Sequence, residues 1–164
     1  GEEVYFHILN HAKKYVHIMT PYLILDNEMM TALKFAAKRG VEVIIIMPHV
    51  PDKWYAFVLA KTYYNELLDA GVQIYEYTPG FVHAKVFTSD DRKAVVGTIN
   101  MDYRSLFLHF ECGVLLQKNS QVAVLRDDVR ATLPQCREIQ VTGCRTSLPG
   151  TVLDSVLRLL SPLM

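Results

Sequence analysis

The chain has no excess of charge of either sign. Its 164 residues carry 17 lysines and arginines against 17 aspartates and glutamates. Proteins that bind the nucleic-acid backbone usually carry more basic than acidic residues, because they neutralise phosphates. The balance therefore argues against a dedicated duplex-binding surface, and we expect no nucleic-acid partner. It leaves room for a small local cationic pocket.

Cysteines and long apolar runs are also scarce. The three cysteines, Cys112, Cys136 and Cys144, have no CxxC spacing, which predicts free thiols in a reducing compartment. No apolar run reaches the roughly 18 residues that a membrane-spanning helix needs. The first residues, GEEVYFHILNHAKK, lack an initiating Met and the layout of a signal peptide. We therefore expect the chain to be part of a longer protein, whose membrane spans it would not reveal.

The sequence offers no convincing metal site. Five of the six histidines are scattered along the chain; they are His7, His11, His17, His49 and His109. We expect core or surface roles for them, and neither a metal nor a cofactor for the protein.

Apolar periodicity predicts one α/β domain over residues 1–164. Strands alternate with helices of ten to seventeen residues as far as residue 77, which is typical of parallel βαβ units. The predicted helices cover residues 2–14, 27–38, 54–70, 121–133 and 151–160. The predicted strands cover residues 16–20, 41–47, 72–77, 84–88, 93–96 and 110–117. Residues 89–92 are expected to form a hairpin turn, and residues 135–150 a loop.

The most informative pattern is His-x-Lys-x4-Asp, formed by His83, Lys85 and Asp90. A chain of this composition would show it by chance about 0.02 times, so the pattern is fairly specific. A second His-x-Lys, at His11 and Lys13, has no Asp at the matching distance. We interpret that second pair as a surface feature of the first helix.

The residue types in this pattern suit chemistry at phosphorus. If the strand begins near residue 82, His83 and Lys85 project from the same face, since alternate residues of a strand share a face. An imidazole can attack phosphorus, and a neighbouring ammonium can neutralise the phosphoryl oxygens. The alternative is that both side chains are merely solvated at the start of a strand.

Residues further along the chain favour the catalytic interpretation. Gly97 would let the chain turn sharply and, with Thr98, would support the site, while the amide of Asn100 would donate to a phosphoryl oxygen. Glu111, on the following predicted strand, would hold one ring nitrogen of His83 and leave the other free as a nucleophile.

These residues resemble the HKD motif of the phospholipase D superfamily, followed by its G-[ST]-x-N element. More closely, the chain resembles the C-terminal half of bacterial cardiolipin synthases. The supporting stretches are TPYLILDNEMMTALKFAAKRGVEVIIIMP, ELLDAGVQIYEYTPGFVHAKV, VGTINMDYRS and the closing LLSPLM. Residues 118–150 support the resemblance only weakly. His49, Val50 and His109 depart from the family's pattern without touching the motif.

The resemblance implies a phospholipase D-like fold, with a mostly parallel mixed sheet flanked by helices. It also implies that two motifs pair across a pseudo-two-fold axis: one histidine forms a phosphohistidine, and the other acts as acid and base. His83 would take either role, Lys85 and Asn100 would hold the phosphate, and Glu111 would orient the histidine. Asp90, although part of the motif, would support the turn.

For a cardiolipin synthase, the implied reaction joins two phosphatidylglycerol molecules and releases glycerol. The chain would be the C-terminal half of a two-motif enzyme in the bacterial cell membrane, with this domain facing the cytoplasm. Its partner would be the second motif-bearing half, or a second copy of the chain. Two alternatives stay open: a homodimeric phosphodiesterase that cleaves nucleic acid, and an assembly or lipid-binding half without activity of its own.

Overall fold

The computed structural model describes residues 1–141 and 155–159 of the chain. The helices are α1 Glu2–His11, α2 Asn27–Lys38, α3 Trp54–Asp69 and α4 Ser120–Thr132. The strands are β1 Tyr15–Met19, β2 Leu23–Ile24, β3 Glu42–Pro48, β4 Gln73–Tyr77, β5 Val86–Ser89, β6 Lys93–Gly97, β7 Met101–Asp102, β8 Gly113–Gln117 and β9 Cys136–Glu138. Arg104–Leu108 form a short π-helix, and Leu133–Gln135 a 3₁₀ turn.

Seven of the strands form one mixed sheet in the order β8-β6-β5-β1-β3-β4-β9, and β2 pairs with β7 beside it. The expected α/β class, with a mixed sheet flanked by helices, is confirmed. Parallel pairing within the large sheet is confined to its centre, where β1, β3 and β4 are neighbours. The sheet is less parallel than the sequence predicted, because the β5–β6–β8 hairpins and the short β9 all pair in the antiparallel sense.

Apolar side chains cover both faces of the sheet. The larger cluster joins α1, α2 and α3 to one face of the sheet and includes Val43, Ile45 and Met47 of β3. A smaller cluster on the other face contains Met19, Ile46 and Val86 and packs against Val129 of α4. Burial on both faces explains why β3 is a nearly continuous apolar run.

Local signals set the ends of the helices. The side chain of Asp26 accepts a hydrogen bond of 2.8 Å from the amide of Met29 and so caps α2. Gly40 and Gly71 follow α2 and α3 with φ of 84° and 94°, in the left-handed region that glycine adopts at low cost. Glu2, in the first turn of α1, lies against Asp26, so burial and this neighbouring carboxylate raise the pKa of Glu2 to about 7.

Several predicted boundaries were wrong. Helix α1 ends at His11 rather than at residue 14, because Ala12 is extended. The expected loop 135–150 contains strand β9, and residues 142–150 lie outside the described part. Of the expected last helix, residues 155–159 are described and helical. There Leu157 packs against the larger apolar cluster and Arg158 donates to Glu66 over 3.2 Å.

Across residues 1–141 and 155–159, we find no helix whose length and apolar character would let it cross a lipid bilayer.

Candidate active site

The first two residues of the His-x-Lys-x4-Asp pattern lie at one edge of the large sheet. Strand β5 runs antiparallel to β1, and Val86 at its start pairs with Met19 at the end of β1. Met19 pairs in turn with Ile46 near the end of β3. His83 and Lys85, which directly precede β5, therefore lie where β1, β3 and β4 end. We refer to this as the carboxyl edge.

The strand was predicted over residues 84–88, and a shared face for His83 and Lys85 required it to begin near residue 82; in the structure β5 begins only at Val86. Val82 and Ala84 nevertheless pack against the smaller apolar cluster. Because neighbouring residues of an extended chain face opposite ways, His83 and Lys85 point away from that cluster. The shared face of His83 and Lys85 therefore stays a prediction, which the packing of Val82 and Ala84 supports.

His83 is exposed, and its ring stacks on Phe81 with a centroid separation of 5.5 Å. Within the described residues its imidazole makes no hydrogen bond. The ammonium of Lys85 donates to the backbone oxygen of His83 over 2.7 Å. Both ring nitrogens of His83 therefore remain available, beside a cation that is held in place.

Lys85 lies among carboxylates. Partial burial lowers the pKa of its ammonium, and the charges of Glu111, Asp102 and Asp52 act in the opposite direction. These three acids belong to separate segments of the chain, which meet near Lys85 at the carboxyl edge. A phosphate that reaches Lys85 would also encounter this negative charge, so further cations are needed nearby.

Glu111 does not hold His83 in this structure. It precedes β8 instead of lying on it, and its carboxylate accepts a hydrogen bond from the hydroxyl of Thr98. The same hydroxyl accepts from the amide of Cys112 over 3.0 Å. The prediction of a Glu111–His83 bond was therefore wrong for this arrangement, and Thr98 is the residue that orients Glu111.

Asn100 offers an unused polar atom. Its side-chain nitrogen donates to the hydroxyl of Ser105 over 3.1 Å, while its side-chain oxygen is buried and has no partner among the described residues. Buried polar atoms without partners are uncommon in folded proteins. If the amide rotated by 180°, Ser105 could donate to its oxygen and the NH₂ group would face a ligand instead.

Gly97 has a different role from the predicted sharp turn. It is the last residue of β6, pairs with Gly113 and is not among the residues with positive φ. A Cβ atom at Gly97 would lie 2.1 Å from the backbone oxygen of Cys112. The amide of Gly97 also donates to the backbone oxygen of Lys85 over 3.3 Å. Glycine is therefore needed for close backbone approach beside the motif.

Asp90 lies at the opposite end of β5. It follows His83 by seven positions, or about 20 Å of extended chain. Its carboxylate accepts hydrogen bonds from the amides of Lys13, Lys14 and Tyr15 at 2.8, 2.9 and 3.1 Å. The expected structural role at the turn agrees with these contacts, and the side chain lies outside the candidate active site.

An open cavity of about 380 Å³ lies at the carboxyl edge. It brings Asn100 and Glu111 together with two cations, Lys53 and Arg104. His83 and Lys85 do not line the cavity, although two of its acids, Asp102 and Glu111, act on the pKa of Lys85. Sequence reasoning did not select the two cations. Arg104 had a usable signal, because it follows Asn100 by four residues inside the VGTINMDYRS stretch.

His49 also lies at this edge, directly after β3. Its Nδ1 is 2.8 Å from the carboxylate of Glu76, which is almost fully buried in β4. The hydroxyl of Tyr64 lies 3.5 Å from the other oxygen of Glu76. The position had been noted only as a departure from the family's pattern. Over the described part of the chain, no group of three or more His, Cys, Asp or Glu residues is placed to hold a metal.

Comparison with known proteins identifies the family of the chain. Residues 5–132 match the family described as cardiolipin synthase, PLD-like domain. A protein of Streptococcus mutans is 54% identical over 165 residues, and cardiolipin synthase 2 of Bacillus anthracis is 41% identical over 164. The alignments cover 100% and 99% of this chain but 36% and 32% of those relatives. The chain thus spans about a third of their length.

Solved structures share the fold. The phospholipase D family member Nuc from Salmonella typhimurium superposes with a TM-score of 0.73 at 20% identity, over 85% of this chain and 90% of that one. Phosphatidylserine synthase of Haemophilus influenzae superposes with a TM-score of 0.75 at 16% identity, over 99% of this chain and 44% of that one. With the family match over residues 5–132, the chain belongs to the phospholipase D superfamily, in the family of cardiolipin synthase PLD-like domains.

Proposed function

We propose that this chain supplies one of two half-sites of a phosphatidyltransferase, which joins two phosphatidylglycerol molecules into cardiolipin and releases glycerol through a phosphohistidine intermediate. The observation that carries the proposal is the pairing of His83 with Lys85 at the carboxyl edge, where His83 is exposed and makes no hydrogen bond to another described residue. The family membership supports the choice of substrate.

In the first step, a ring nitrogen of His83 attacks the phosphorus of one phosphatidylglycerol. An N–P bond forms as the P–O bond to glycerol breaks, and the departing oxygen takes a proton from the histidine of the second half-site. In the second step, a hydroxyl of another phosphatidylglycerol gives its proton to that histidine and attacks the same phosphorus. Cardiolipin leaves and His83 is restored. The assignment of His83 as the nucleophile is part of the proposal, since the two histidines could exchange roles.

The charges at the carboxyl edge fit a phosphodiester. The substrate phosphate carries one negative charge, and Lys85, Lys53 and Arg104 offer three positive ones. Asp52, Asp102 and Glu111 place as many negative charges at the same edge, which favours a monoanion over a more highly charged phosphate. The amide of Asn100 could donate to a phosphoryl oxygen, which would complete the set of donors that stabilises charge in the transition state.

The mechanism needs a second half-site, and an exposed apolar surface next to the cavity supports its presence. His109 and Glu111 line the cavity, and large apolar side chains on both sides of them are exposed; they are Phe107, Leu108, Phe110, Val114 and Leu115. Exposed apolar patches commonly mark interaction sites. We call this set the apolar flank and propose that the second motif-bearing half of the same protein covers it.

The proposal places this chain as the C-terminal half of a longer enzyme at the bacterial cell membrane, with the domain on the cytoplasmic side. The length of the relatives supports it, since this chain spans only about a third of them.

The test is lipid mass spectrometry of phosphatidylglycerol vesicles incubated with the full-length protein, as wild type and as His83→Asn. We expect cardiolipin and free glycerol with wild type only, because the variant lacks the attacking nitrogen, while its melting temperature stays the same. His7→Asn, an exposed histidine on α1, is the matched control and should retain activity.

Two outcomes would overturn the proposal. Undiminished product from a folded His83→Asn protein would remove His83 from the reaction. Phosphatidic acid in place of cardiolipin, or untouched lipid, with wild type would reject the substrate and acceptor. Nucleic-acid phosphodiesters would then be the next substrates to assay.

A further inference from the structure

We propose that the chain carries a second anion site, for a phosphate group, at the edge of the sheet opposite to the carboxyl edge. The site is a cavity of about 300 Å³ next to the β5–β6 turn. Its charged and titratable lining residues are His11, Lys13, Asp90, Arg92, Lys93 and Lys118. We call it the turn cavity.

The turn cavity concentrates positive charge in a chain whose net charge is zero. Among the described residues, none of the cationic groups of Lys13, Arg92, Lys93 and Lys118 has an ion pair or a side-chain hydrogen bond. Four such groups around one cavity repel one another unless an anion lies between them. The field extends to the neighbouring helix, where the charge of Lys93 is the largest cause that lowers the pKa of His7.

Among the described residues, Asp90 is the only acid that lines the turn cavity. Its two carboxylate oxygens accept three hydrogen bonds from the backbone amides of Lys13, Lys14 and Tyr15. These contacts fix the segment that carries Lys13, and the single negative charge of Asp90 offsets only one of the four positive charges. The cavity wall is therefore held in place and keeps an excess of positive charge.

The shape of the turn cavity suits a small anion. Ile8 and Ser89 belong to its lining and are 1% and 3% exposed, so the cavity reaches down to the core. The cations come from three separate segments, at residues 13, 92–93 and 118. Donors from several directions match a phosphate, whose oxygens accept several hydrogen bonds at once, and charge-assisted bonds of this kind are the stronger ones.

The second His-x-Lys pair of the sequence is part of the proposed anion site. His11 and Lys13, which sequence analysis treated as a surface feature of the first helix, both line the turn cavity. The Nδ1 of His11 is bonded to the backbone oxygen of His7 over 2.8 Å, which holds its ring in place.

An anion in the turn cavity would be distinct from the reacting phosphodiester, because about 20 Å of extended chain separates Asp90 from His83. The inference therefore stands apart from the proposed reaction and does not depend on it. The shared ligand chemistry is the phosphate group, which an anionic lipid headgroup or a soluble phosphate could provide.

The test is calorimetric titration of the 164-residue chain with inorganic phosphate and, separately, with glycerol 3-phosphate. We expect saturable binding with a Kd of about 1 mM or below in dilute buffer, weakening as salt is added. The double variant Lys13→Gln/Lys118→Gln should bind about tenfold more weakly or worse. The double variant Lys38→Gln/Lys61→Gln makes the same change in net charge on other surfaces and should bind like wild type.

Binding to vesicles distinguishes the two sources of the phosphate. Sedimentation with phosphatidylglycerol vesicles, but not with phosphatidylcholine vesicles, that depends on Lys13 and Lys118 assigns the turn cavity to a lipid headgroup. Phosphate binding without such sedimentation assigns it to a soluble phosphate. Unchanged melting temperatures in both double variants exclude unfolding as the cause.

Absence of saturable phosphate binding at about 10 mM would overturn the inference, since affinity this weak corresponds to less than about 3 kcal/mol. An equal loss in the two double variants would overturn it as well, because binding would then follow net charge and not the turn cavity.

Discussion

At the scale of single residues, the contact between Glu2 and Asp26 couples the fold to pH. The side chain of Asp26 caps α2, and Glu2 approaches it from the first turn of α1. Burial of Glu2 is the largest cause of its raised pKa, and the carboxylates of Asp26 and Glu28 add to it. The folded protein thus prefers a protonated Glu2.

The contribution of Glu2 to the free energy of unfolding should therefore fall as pH rises from 4.5 to 7. In the unfolded chain Glu2 has its ordinary pKa of 4.5, and in the folded chain its pKa is about 7. Between these values the folded state binds more protons, so the contribution is fully present below pH 4.5 and lost above pH 7. Urea titrations of wild type and Glu2→Gln at pH 4.5 and 8 would measure the difference.

Glu2→Gln should raise the free energy of unfolding at pH 8 by about 1 kcal/mol, since solvent screens a side chain near the surface. At pH 4.5 its effect should be small. Glu3→Gln, an exposed neighbour, is the control and should follow wild type at both values. Parallel pH profiles for wild type and Glu2→Gln would contradict the prediction.

The sequence identified residue types at the site better than their contacts. His83 and Lys85 follow from a motif, whose spacing is visible in the sequence, and their shared face follows from alternation. The hydrogen-bond partner of Glu111 cannot be read from the sequence, because the choice between Thr98 and His83 depends on how two loops meet in the fold. Likewise, His49 looked isolated until folding brought it to Glu76 in the neighbouring strand.

At the scale of elements, the contact between β6 and β8 positions the loops of the candidate site. Gly97 and Gly113 face each other across this pair. Gly97 directly precedes Thr98, and Gly113 follows Glu111 by two residues. The two backbones approach so closely that no Cβ fits at Gly97 without movement of the backbone of Cys112 and Gly113.

Gly97→Ala should lower the free energy of unfolding by about 1–3 kcal/mol, the usual cost of overpacking. The full-length variant should also lose activity, because the displaced backbone carries both partners of the Thr98–Glu111 hydrogen bond. Chemical denaturation and the lipid assay would measure the two effects. Gly80→Ala is the control for stability, since nothing lies within 4 Å of a Cβ there. Equal stability of the two variants would contradict the close-approach argument.

The elements that periodicity could not predict are the short ones. Strands β2 and β7 have two residues each and β9 has three, too few for any apolar period to emerge. The longer helices and the buried β3 were predicted to within a few residues, because their patterns extend over several turns or a whole strand. Thus the long strands of the large sheet were predictable from the sequence, while the short β2–β7 pair beside the candidate site was not.

At the scale of the whole molecule, the apolar flank is a surface that a single copy of the chain leaves exposed to solvent. Phe110 is fully exposed, and Leu108 is 66% exposed. Strand β8, at the end of the large sheet, carries the exposed Val114 and Leu115. Edge strands and apolar patches of this kind promote association.

We expect the 164-residue chain alone to sediment as a dimer at micromolar concentrations, because a second copy can replace the missing half on the apolar flank. Leu108→Ser/Phe110→Ser should shift the protein to monomer in analytical ultracentrifugation. Phe35→Ser changes an exposed aromatic residue on α2 and should leave the dimer intact. A strictly monomeric wild type, or equal dissociation of the control, would contradict the expected pairing.

The hydrogen bonds of Asp90 give the motif a geometric meaning. The four residues between Lys85 and Asp90 are Val86–Ser89, which is the whole of β5. The spacing in the motif is thus the length of a strand, with a reactive pair at one end and a backbone anchor at the other. Deleting one of the four would turn His83 and Lys85 to the opposite face while Asp90 stayed anchored. The four-residue spacing therefore sets the length of β5. Chains that keep His83, Lys85 and Asp90 but change the number of residues between Lys85 and Asp90 should lose the proposed phosphoryl-transfer activity.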